Sequence, residues 1–147
     1  MKIWYPCKIE KGTDEKHLVT FPDFPEAFTE GETEEEALFN ASEALTLTLE
    51  GRAEEGMPIP FPSQTEMPTM IYPSSRVQAA LLVRFSRKGR KIADLARSLG
   101  TSWPVVSNME DLHHWTTLRQ LEKTAAILGK RLVVSFEDHR EQHLPQA

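Results

Sequence analysis

The sequence predicts an α+β protein whose first half is rich in strands and whose second half is helical. Residues 2–10 alternate between apolar and polar side chains, which is typical of a strand with one buried face. Residues 33–55 instead repeat apolar side chains at helical spacing, and residues 91–110 describe two short helices around one tight turn. We therefore expect a small sheet covered by one long helix, followed by an all-α module that ends in a short strand.

The net charge of −5 is distributed unevenly along the 147 residues. Residues 1–66 contain five Lys or Arg and fifteen Asp or Glu, a net charge of −10. Residues 67–147 contain twelve Lys or Arg and seven Asp or Glu, a net charge of +5. This asymmetry predicts two modules with different partners, because a basic half suits nucleic acid and an acidic half suits solvent or a basic protein.

Three strands are expected in the first half, over residues 2–10, 17–21 and 27–32. Pro6 lacks a backbone N–H group, so the first of them should lie at an edge or carry a bulge. Thr33 and Glu36 have the spacing of a capping box, so a long helix should begin there and run to about residue 55, before a glycine. A fourth strand at residues 69–72 would complete a β-β-β-α-β order. The helix is expected to bury Leu38, Ala41, Leu45 and Leu49, with Ala37 and Ala44 beside them, whereas Phe39 and Leu47 fall outside this stripe.

Five prolines make residues 57–73 a stiff, extended connection rather than a flexible tether. We place a Pro-rich link at 57–68 and a domain boundary near residue 73, which gives domains at 1–73 and 74–147. A second capping box, formed by Ser75 and Gln78, predicts the start of a helix that is apolar nearly all round. Such a helix is normally buried, so we expect another subunit to cover part of it.

A helix-turn-helix pattern follows. Leu95 belongs to the apolar face of its first helix, and Gly100 stands where the helix end favours a positive φ. Pro104 lies in the first turn of the second helix, which turns Val106 and Met109 inward. The second helix of such a motif fits the major groove of DNA, and the alternative is an ordinary helical hairpin.

Candidates for DNA contacts lie on this second helix and on the basic segment before the motif. Asn pairs bidentately with adenine and Ser bonds several base edges, while Lys and Arg bind phosphates and set the salt dependence. Trp103 has two open interpretations, a DNA contact or core packing. The base-contact candidates are Ser102, Trp103, Ser107 and Asn108, and the phosphate candidates are Lys88, Arg90, Lys91 and Arg97.

The end of the chain predicts one more helix and one more strand. Thr117 and Gln120 have capping-box spacing, and Gly129 marks the helix end. The inward side chains should be Leu118, Leu121, Ala125 and Leu128. Leu132, Val134 and Phe136 then alternate in a terminal strand.

Catalytic and metal-binding patterns are weak. The single cysteine, Cys7, excludes an intramolecular disulfide and a thiolate cluster. Asp23 suggests a metal-dependent nuclease, but an Asp between prolines is typical of a turn and no second acid clearly converges on it. No apolar run reaches the length of a membrane span and no secretory leader is evident, so we expect a soluble, cytoplasmic protein. Two histidine pairs, His113 with His114 and His139 with His143, lack further ligands, so we expect no metal site. Taken together, these weak patterns predict no cofactor and no enzymatic activity.

Two stretches together resemble the HicB family of antitoxins from bacterial type II toxin–antitoxin systems. The first is residues 19–27, with the turn Pro22-Asp23-Phe24-Pro25, followed by Thr29-Glu30-Gly31-Glu32-Thr33 and Glu36-Ala37. The second is Leu95-Ala96-Arg97-Ser98-Leu99-Gly100, then Asp111-Leu112-His113-His114 and Leu128-Gly129-Lys130. The match covers most of the chain in the right order.

The resemblance implies that the first half adopts a shortened RNase H-like fold and covers the active site of a small basic RNase toxin, HicA. It implies that the second half forms a homodimer or a tetramer, binds operator DNA and represses its own operon. Lys91, Ile92 and Trp103 depart from residue types common in such domains, so the operator sequence cannot be transferred. The toxin-binding candidates are Asp23, Phe24, Glu26, Glu30 and Glu32. The alternative function is a stand-alone transcription regulator whose acidic half senses a ligand or another protein.

Overall fold

The fold, taken from a computed structural model, is mixed α+β, as predicted. Residues 1–62 and 67–138 are described, so His139 and His143 lie outside the described residues. The strands are β1 (Tyr5–Pro6), β2 (Lys8–Lys11), β3 (His17–Phe21), β4 (Phe24–Gly31) and β5 (Met70–Ile71). The helices are α1 (Glu34–Glu54), α2 (Ser75–Arg87), α3 (Ile92–Leu99), α4 (Trp103–Met109) and α5 (Leu118–Ile127).

The strand predicted over residues 2–10 is divided into β1 and β2. β2, β3 and β4 form an antiparallel sheet, whereas β1 pairs with β5, and Tyr5 lies opposite Ile71. The chain changes partner at Cys7, whose N–H donates to the carbonyl of Thr69 at 3.1 Å. Pro6 has no N–H to donate, which accounts for the interruption of one continuous ladder. The fourth strand is present as β5, one residue shorter at each end than predicted.

Helix α1 covers the inner face of the sheet. Thr33 is its N-cap, and its hydroxyl accepts a hydrogen bond from the N–H of Glu36 at 3.1 Å. Gly31 lies so close to this first turn that an added Cβ would be 2.4 Å from the nitrogen of Ala37. Of the predicted stripe, the helix buries Ala37, Ala41, Leu45 and Leu49, whereas Leu38 and Ala44 are only half-buried and Thr46 is buried without having been predicted. Phe39 and Leu47 are exposed, as predicted.

The described part of the Pro-rich link packs against the first half. The Tyr5 hydroxyl donates to the carbonyl of Pro60 at 2.7 Å, and Arg52 donates to that of Pro58 at 2.9 Å. The rings of Phe61 and Phe85 lie 5.0 Å apart. These contacts fix the link to both α1 and α2, so it is not a free tether.

The capping box predicted at Ser75 is wrong. The N-cap is Ser74, whose side chain makes no capping hydrogen bond, so the N3 position falls on Val77, which cannot reach back. Gln78 instead donates its side-chain amide to the carbonyl of Pro73 at 2.9 Å. The prediction failed by one residue, because the serines at 74 and 75 are equally good caps by type.

Helix α2 contributes to two hydrophobic cores. Its buried Val77, Ala80 and Leu81 pack with the sheet and α1, together with Leu112 from the loop after α4. Val83 packs with Leu95, Ala96, Val106, Met109 and Leu121 in a second core. Part of the apolar surface of α2 is therefore covered within the chain itself.

Two predictions for the last forty residues are wrong. Thr117 and Gln120 do form a capping box at α5, but Leu118 is 62% exposed and the buried side of the helix is formed by Leu121 and Thr124. Residues 130–138 form no strand, because no other strand of the described chain lies beside them. None of the helices in the described ranges has an apolar stretch of the length that a membrane span requires.

Candidate protein-binding and DNA-binding surfaces

The side of the three-stranded sheet that faces away from α1 carries two large apolar side chains among charged ones. Cross-strand neighbours share one face, and the register places Glu10, Leu18 and Glu30 in one row and Lys8, Thr20 and Phe28 in the next. All six are exposed; Phe28 is 74% and Leu18 is 39% exposed. We call this surface the outer sheet face.

Phe24, predicted to bind a toxin, belongs to the core instead. Its side chain is fully buried, and its ring meets that of Tyr5 edge-on at a centroid distance of 4.9 Å. The guanidinium of Arg52 lies over the Phe24 ring, 4.8 Å from its centroid. The neighbouring turn residues led the sequence prediction to place Phe24 at the surface, but it begins β4 with its side chain pointing inward.

Glu26 is exposed and held by Arg52. Its two carboxylate oxygens accept hydrogen bonds from Arg52 at 2.6 and 2.8 Å. The hydrogen bond from Arg52 lowers the pKa of Glu26 to about 2, so the carboxylate stays charged down to acidic pH. This pair fixes the edge of the sheet to the last turn of α1.

The other predicted acids surround the sheet rather than forming one cluster. Glu30 is on the outer sheet face and pairs with Lys16 at 3.4 Å. Glu32 is exposed just before α1, and Asp23 is half-exposed in the turn between β3 and β4. Over residues 1–62 and 67–138, no group of three His, Cys, Asp or Glu side chains is placed to hold a metal ion.

Helices α3 and α4 pack against each other around a tight turn. Gly100 has a φ of 66°, and the N–H groups of Gly100 and Thr101 close the end of α3 on the carbonyls of Arg97 and Ala96. Ser102 is the N-cap of α4 but makes no side-chain capping bond, which leaves its hydroxyl available. Val106 and Met109 are buried, as predicted, so they fix which side of α4 faces outward.

The predicted base-contact residues lie on this outward side. Ser102 and Asn108 are exposed and Ser107 is half-exposed. Trp103 is 53% exposed, so its side chain is not a core residue of the described chain. The first turn of α4 thus presents an aromatic side chain and polar groups to solvent.

The predicted phosphate-contact residues are also exposed, whereas a neighbouring arginine is not available. Lys88, Arg90 and Lys91 precede α3, and Arg97 on its outer side has its guanidinium 3.2 Å from Asp94. Arg87 is half-buried and donates to both carboxylate oxygens of Glu110, at 2.5 and 2.9 Å. The hydrogen bond with Glu110 raises the pKa of Arg87, and the guanidinium is engaged in this ion pair rather than free to bind a phosphate.

Two features were missed from the sequence. Leu18 and Phe28 were read only as strand residues, although strand alternation around buried Val19 and Ala27 would have placed both outside. The second feature is a polar network between the two halves of the chain. Arg76 pairs with Glu50 at 2.8 Å, donates a hydrogen bond to the carbonyl of Leu112, and lies 5.9 Å from the centroid of the Trp115 ring. His113 contacts Glu54 at 2.6 Å and Glu50 at 3.4 Å. Its members are distant in sequence, so no local pattern predicts it.

Comparison with known proteins identifies the family. Residues 4–72 match the family described as HicB_like antitoxin of bacterial toxin-antitoxin system. Antitoxin HicB 1 of Photorhabdus laumondii is 32% identical over 134 residues, which cover 90% of this chain and 86% of that protein. The chain belongs to the HicB antitoxin family.

Further relatives agree with this assignment. Antitoxin HicB 2 of Photorhabdus laumondii is 35% identical over 129 residues, covering 87% of this chain and 92% of the relative. Antitoxin HicB of Escherichia coli K12 is 30% identical over 131 residues, which cover 87% of this chain and 95% of that protein. Membership in an antitoxin family implies a toxin partner and suggests a regulatory, non-enzymatic role.

Proposed function

We propose that this antitoxin binds a small basic RNase toxin of the HicA type through its outer sheet face and blocks the toxin sterically. The observation that carries the proposal is the exposure of Phe28 and Leu18 on a sheet whose other outward side chains are mostly charged. Large exposed apolar groups rimmed by polar ones are typical of protein-binding surfaces. Aromatic side chains at such positions are frequent anchors of binding energy.

Charge supports a basic partner. Glu10 and Glu30 flank Leu18 across the sheet, and Glu26 stays ionised beside Arg52. The half of the chain that contains this face has a net charge of −10. Such a field would speed the encounter with a basic protein and disfavour acidic ones, while the apolar centre would supply most of the affinity.

Counting β1 and β2 as the two parts of one predicted strand, the chain has a β-β-β-α-β order, which supports the shortened RNase H-like fold implied by the resemblance. In that arrangement the antitoxin offers a sheet face and no catalytic centre of its own. Inhibition would then follow from covering the toxin's active site, with no chemistry on either protein. The toxin-binding candidates that remain are Asp23, Glu26, Glu30 and Glu32, joined by Leu18 and Phe28.

The test uses two exposed phenylalanines. Phe28→Ser should raise the Kd for the toxin roughly thirtyfold or more, since truncating an interface anchor costs about 2 kcal/mol or more. Phe39→Ser is the matched control: Phe39 is 54% exposed, but on α1 rather than on the sheet. Affinity is measured by calorimetry with a catalytically inactive toxin. If Phe39→Ser weakens binding and Phe28→Ser does not, the toxin binds elsewhere.

We further infer that α4 reads operator DNA and that the protein represses its own operon. The exposed Trp103, Ser102 and Asn108 give its first turn and outer side groups that suit base edges and thymine methyls. The exposed cations at 88, 90, 91 and 97 lie before and on α3, where phosphates would flank the groove. A homodimer or tetramer would place two such helices on a two-fold operator.

Residues that contact bases can be distinguished from residues that contact phosphates by comparing the operator with unrelated DNA and by measuring how binding depends on salt. Asn108→Ala should cost about 1–3 kcal/mol on the operator and little on unrelated DNA. Lys91→Ala should weaken both by similar factors and lower the slope of log K against log salt by about one. Glu122→Ala, on the exposed side of α5, is the control. Equal effects of Asn108→Ala on both DNAs would refute base reading by α4.

Two binding modules on one chain would let toxin occupancy alter repression through avidity. Operator affinity should then change as toxin is added at increasing ratios. Operator affinity that is constant at every toxin ratio would contradict this coupling.

A further inference from the structure

Trp103 places a large apolar side chain on the outward side of α4. The side chain is 53% exposed, and the exposed Pro104 follows it in the first turn of the helix. Among the described residues, the indole packs on no other aromatic ring and lies beside no cation. Because Val106 and Met109 occupy the buried side of α4, the second core does not explain this tryptophan.

The surroundings of this apolar side chain are basic. Residues 88–109 carry four cations and one anion, and all five are exposed. The anion is paired with one of the cations at 3.2 Å. An exposed aromatic group among cations suits a polyanion that also offers an apolar contact, and it does not suit a basic protein. The charged residues are Lys88, Arg90, Lys91, Asp94 and Arg97.

The major groove of DNA offers a methyl group on only one of its bases. Thymine carries its C5 methyl there, whereas adenine, guanine and cytosine are distinguished by hydrogen-bond donors and acceptors. An indole has a single N–H donor and no acceptor, so hydrogen bonds to base edges would leave most of the Trp103 ring without a suitable partner. Contact with a methyl group removes apolar surface of both molecules from water, which is favourable.

We propose that Trp103 is a specificity-determining residue that selects thymine in the operator by packing its indole on the C5 methyl group. The inference rests on the proposed reading of operator DNA by α4 and names the base that this side chain selects. Ser107 and Asn108 lie on the outward side of the same helix, where their hydrogen bonds to neighbouring bases would hold α4 in the groove. A two-fold operator would contain the selected thymine once in each half-site.

The alternative position for the indole is on a deoxyribose of the DNA backbone. The exposed cations before and on α3 are suited to the phosphates, whereas Trp103 shares the outward side of α4 with the base-reading candidates. A sugar contact would give no preference for thymine, because the sugar is the same at every position. The two positions therefore differ in how binding responds to removal of the thymine methyl groups.

Uracil substitution tests the methyl groups alone. DNA upstream of the operon is amplified once with thymidine triphosphate and once with deoxyuridine triphosphate, which preserves base pairing and removes every C5 methyl. The wild type should bind the uracil duplex roughly tenfold more weakly, since each buried methyl contributes about fourfold and a two-fold operator buries two. Fluorescence anisotropy gives the Kd values. An unrelated duplex made in the same two ways corrects for the effect of uracil on DNA shape.

Exposed tryptophans at two places in the chain provide matched variants. Trp103→Gln should bind the thymine duplex about as weakly as the wild type binds the uracil duplex, and should bind both duplexes within about twofold. Trp103→Phe keeps an aromatic ring and should retain a preference of at least threefold for the thymine duplex. Trp115 is 68% exposed on the loop after α4, beside Arg76, so Trp115→Gln should keep the full preference. Urea midpoints close to that of the wild type verify that each variant is folded.

Each outcome decides the proposal. A preference for thymine that Trp103→Gln abolishes and Trp115→Gln retains supports it. Equal affinity of the wild type for the two upstream duplexes overturns it but leaves operator binding by α4 in place. A preference that persists in Trp103→Gln also overturns it, because another residue would then contact the methyl groups. Binding to the upstream DNA that is no tighter than to unrelated DNA would overturn both this inference and the proposed reading of the operator.

Discussion

Loss of the Glu110 carboxylate should destabilise the second core by about 3 kcal/mol. Glu110 is 6% exposed, and its carboxylate accepts two hydrogen bonds from Arg87, whose side chain is 20% exposed. Glu110→Ala therefore leaves a half-buried guanidinium without its counter-ion, and breaking a fully buried pair in this way typically costs about 3–5 kcal/mol. Arg87 keeps its hydrogen bond to the carbonyl of Arg90 at 2.5 Å, which places the expected cost at the lower end.

Urea unfolding followed by tryptophan fluorescence measures this loss. Glu122→Ala, an exposed change on α5, is the control and should stay within about 0.5 kcal/mol of the wild type. The double variant Arg87→Met with Glu110→Leu replaces both charges by apolar groups and should recover most of the loss. If Glu110→Ala costs less than about 1 kcal/mol, the pair behaves as a solvated surface contact and the reasoning from burial fails.

Three other predictions concern the first half of the chain. The pKa of Glu26 in the folded protein, about 2, lies below its ordinary value of 4.5, so its contribution to the free energy of unfolding is present above pH 4.5 and is lost as the pH falls toward 2. Arg52→Met should therefore flatten the fall in the urea midpoint between pH 5 and about 2.5. Parallel curves of urea midpoint against pH for the variant and the wild type would contradict this prediction. Burial raises the pKa of Cys7 to about 12, so its thiol should react with iodoacetamide only after unfolding, and rapid modification of the native chain at pH 8 would refute this. Gly31→Ala would set a Cβ 2.4 Å from a backbone nitrogen of α1 and should lower the free energy of unfolding by about 3 kcal/mol. In Gly51→Ala the added Cβ meets nothing within 4 Å, so this variant should stabilise the helix by roughly 0.5–1 kcal/mol. Equal urea midpoints for the two variants would refute the steric argument.

Signals contained within one turn of chain predicted most of the helix ends, the capping box at Ser75 being the exception. The caps at Thr33 and Thr117 depend on side chains three residues apart, and both hydrogen bonds are present. Gly100 has the left-handed conformation expected of a helix end. The buried stripe of α1 and the inward side of α4 follow from a single helical period. These features need no information about distant residues.

Features that depend on distant residues were predicted poorly. Phe24 looks like a turn residue between prolines, and only its packing on Tyr5 and Arg52 shows that it is core. Leu118 has the right spacing for the inner side of α5, but no neighbouring helix covers the first position. Alternation at 132–136 predicts an extended strand and does not say which strand pairs with it. Periodicity identifies a face, while burial depends on what lies opposite that face.

The predicted boundary near residue 73 would separate the two proposed functions in sequence, but the hydrophobic cores of the structure extend across it. Val77 and Leu81 of α2, and Leu112 from beyond α4, are buried against the sheet and α1. Six residues after Val77 on the same helix, Val83 belongs to the second core, which it forms with residues of α3, α4 and α5. Arg76 adds a polar bond between α1 and the loop after α4. Helix α2, thirteen residues long, packs into both cores, so side-chain contacts are continuous from the sheet to α3 and α4. Coupling between the two proposed binding surfaces would therefore have a route through the packed side chains of α2 as well as the route of avidity. A fragment that ends at residue 73 would lose the first route together with part of its own core.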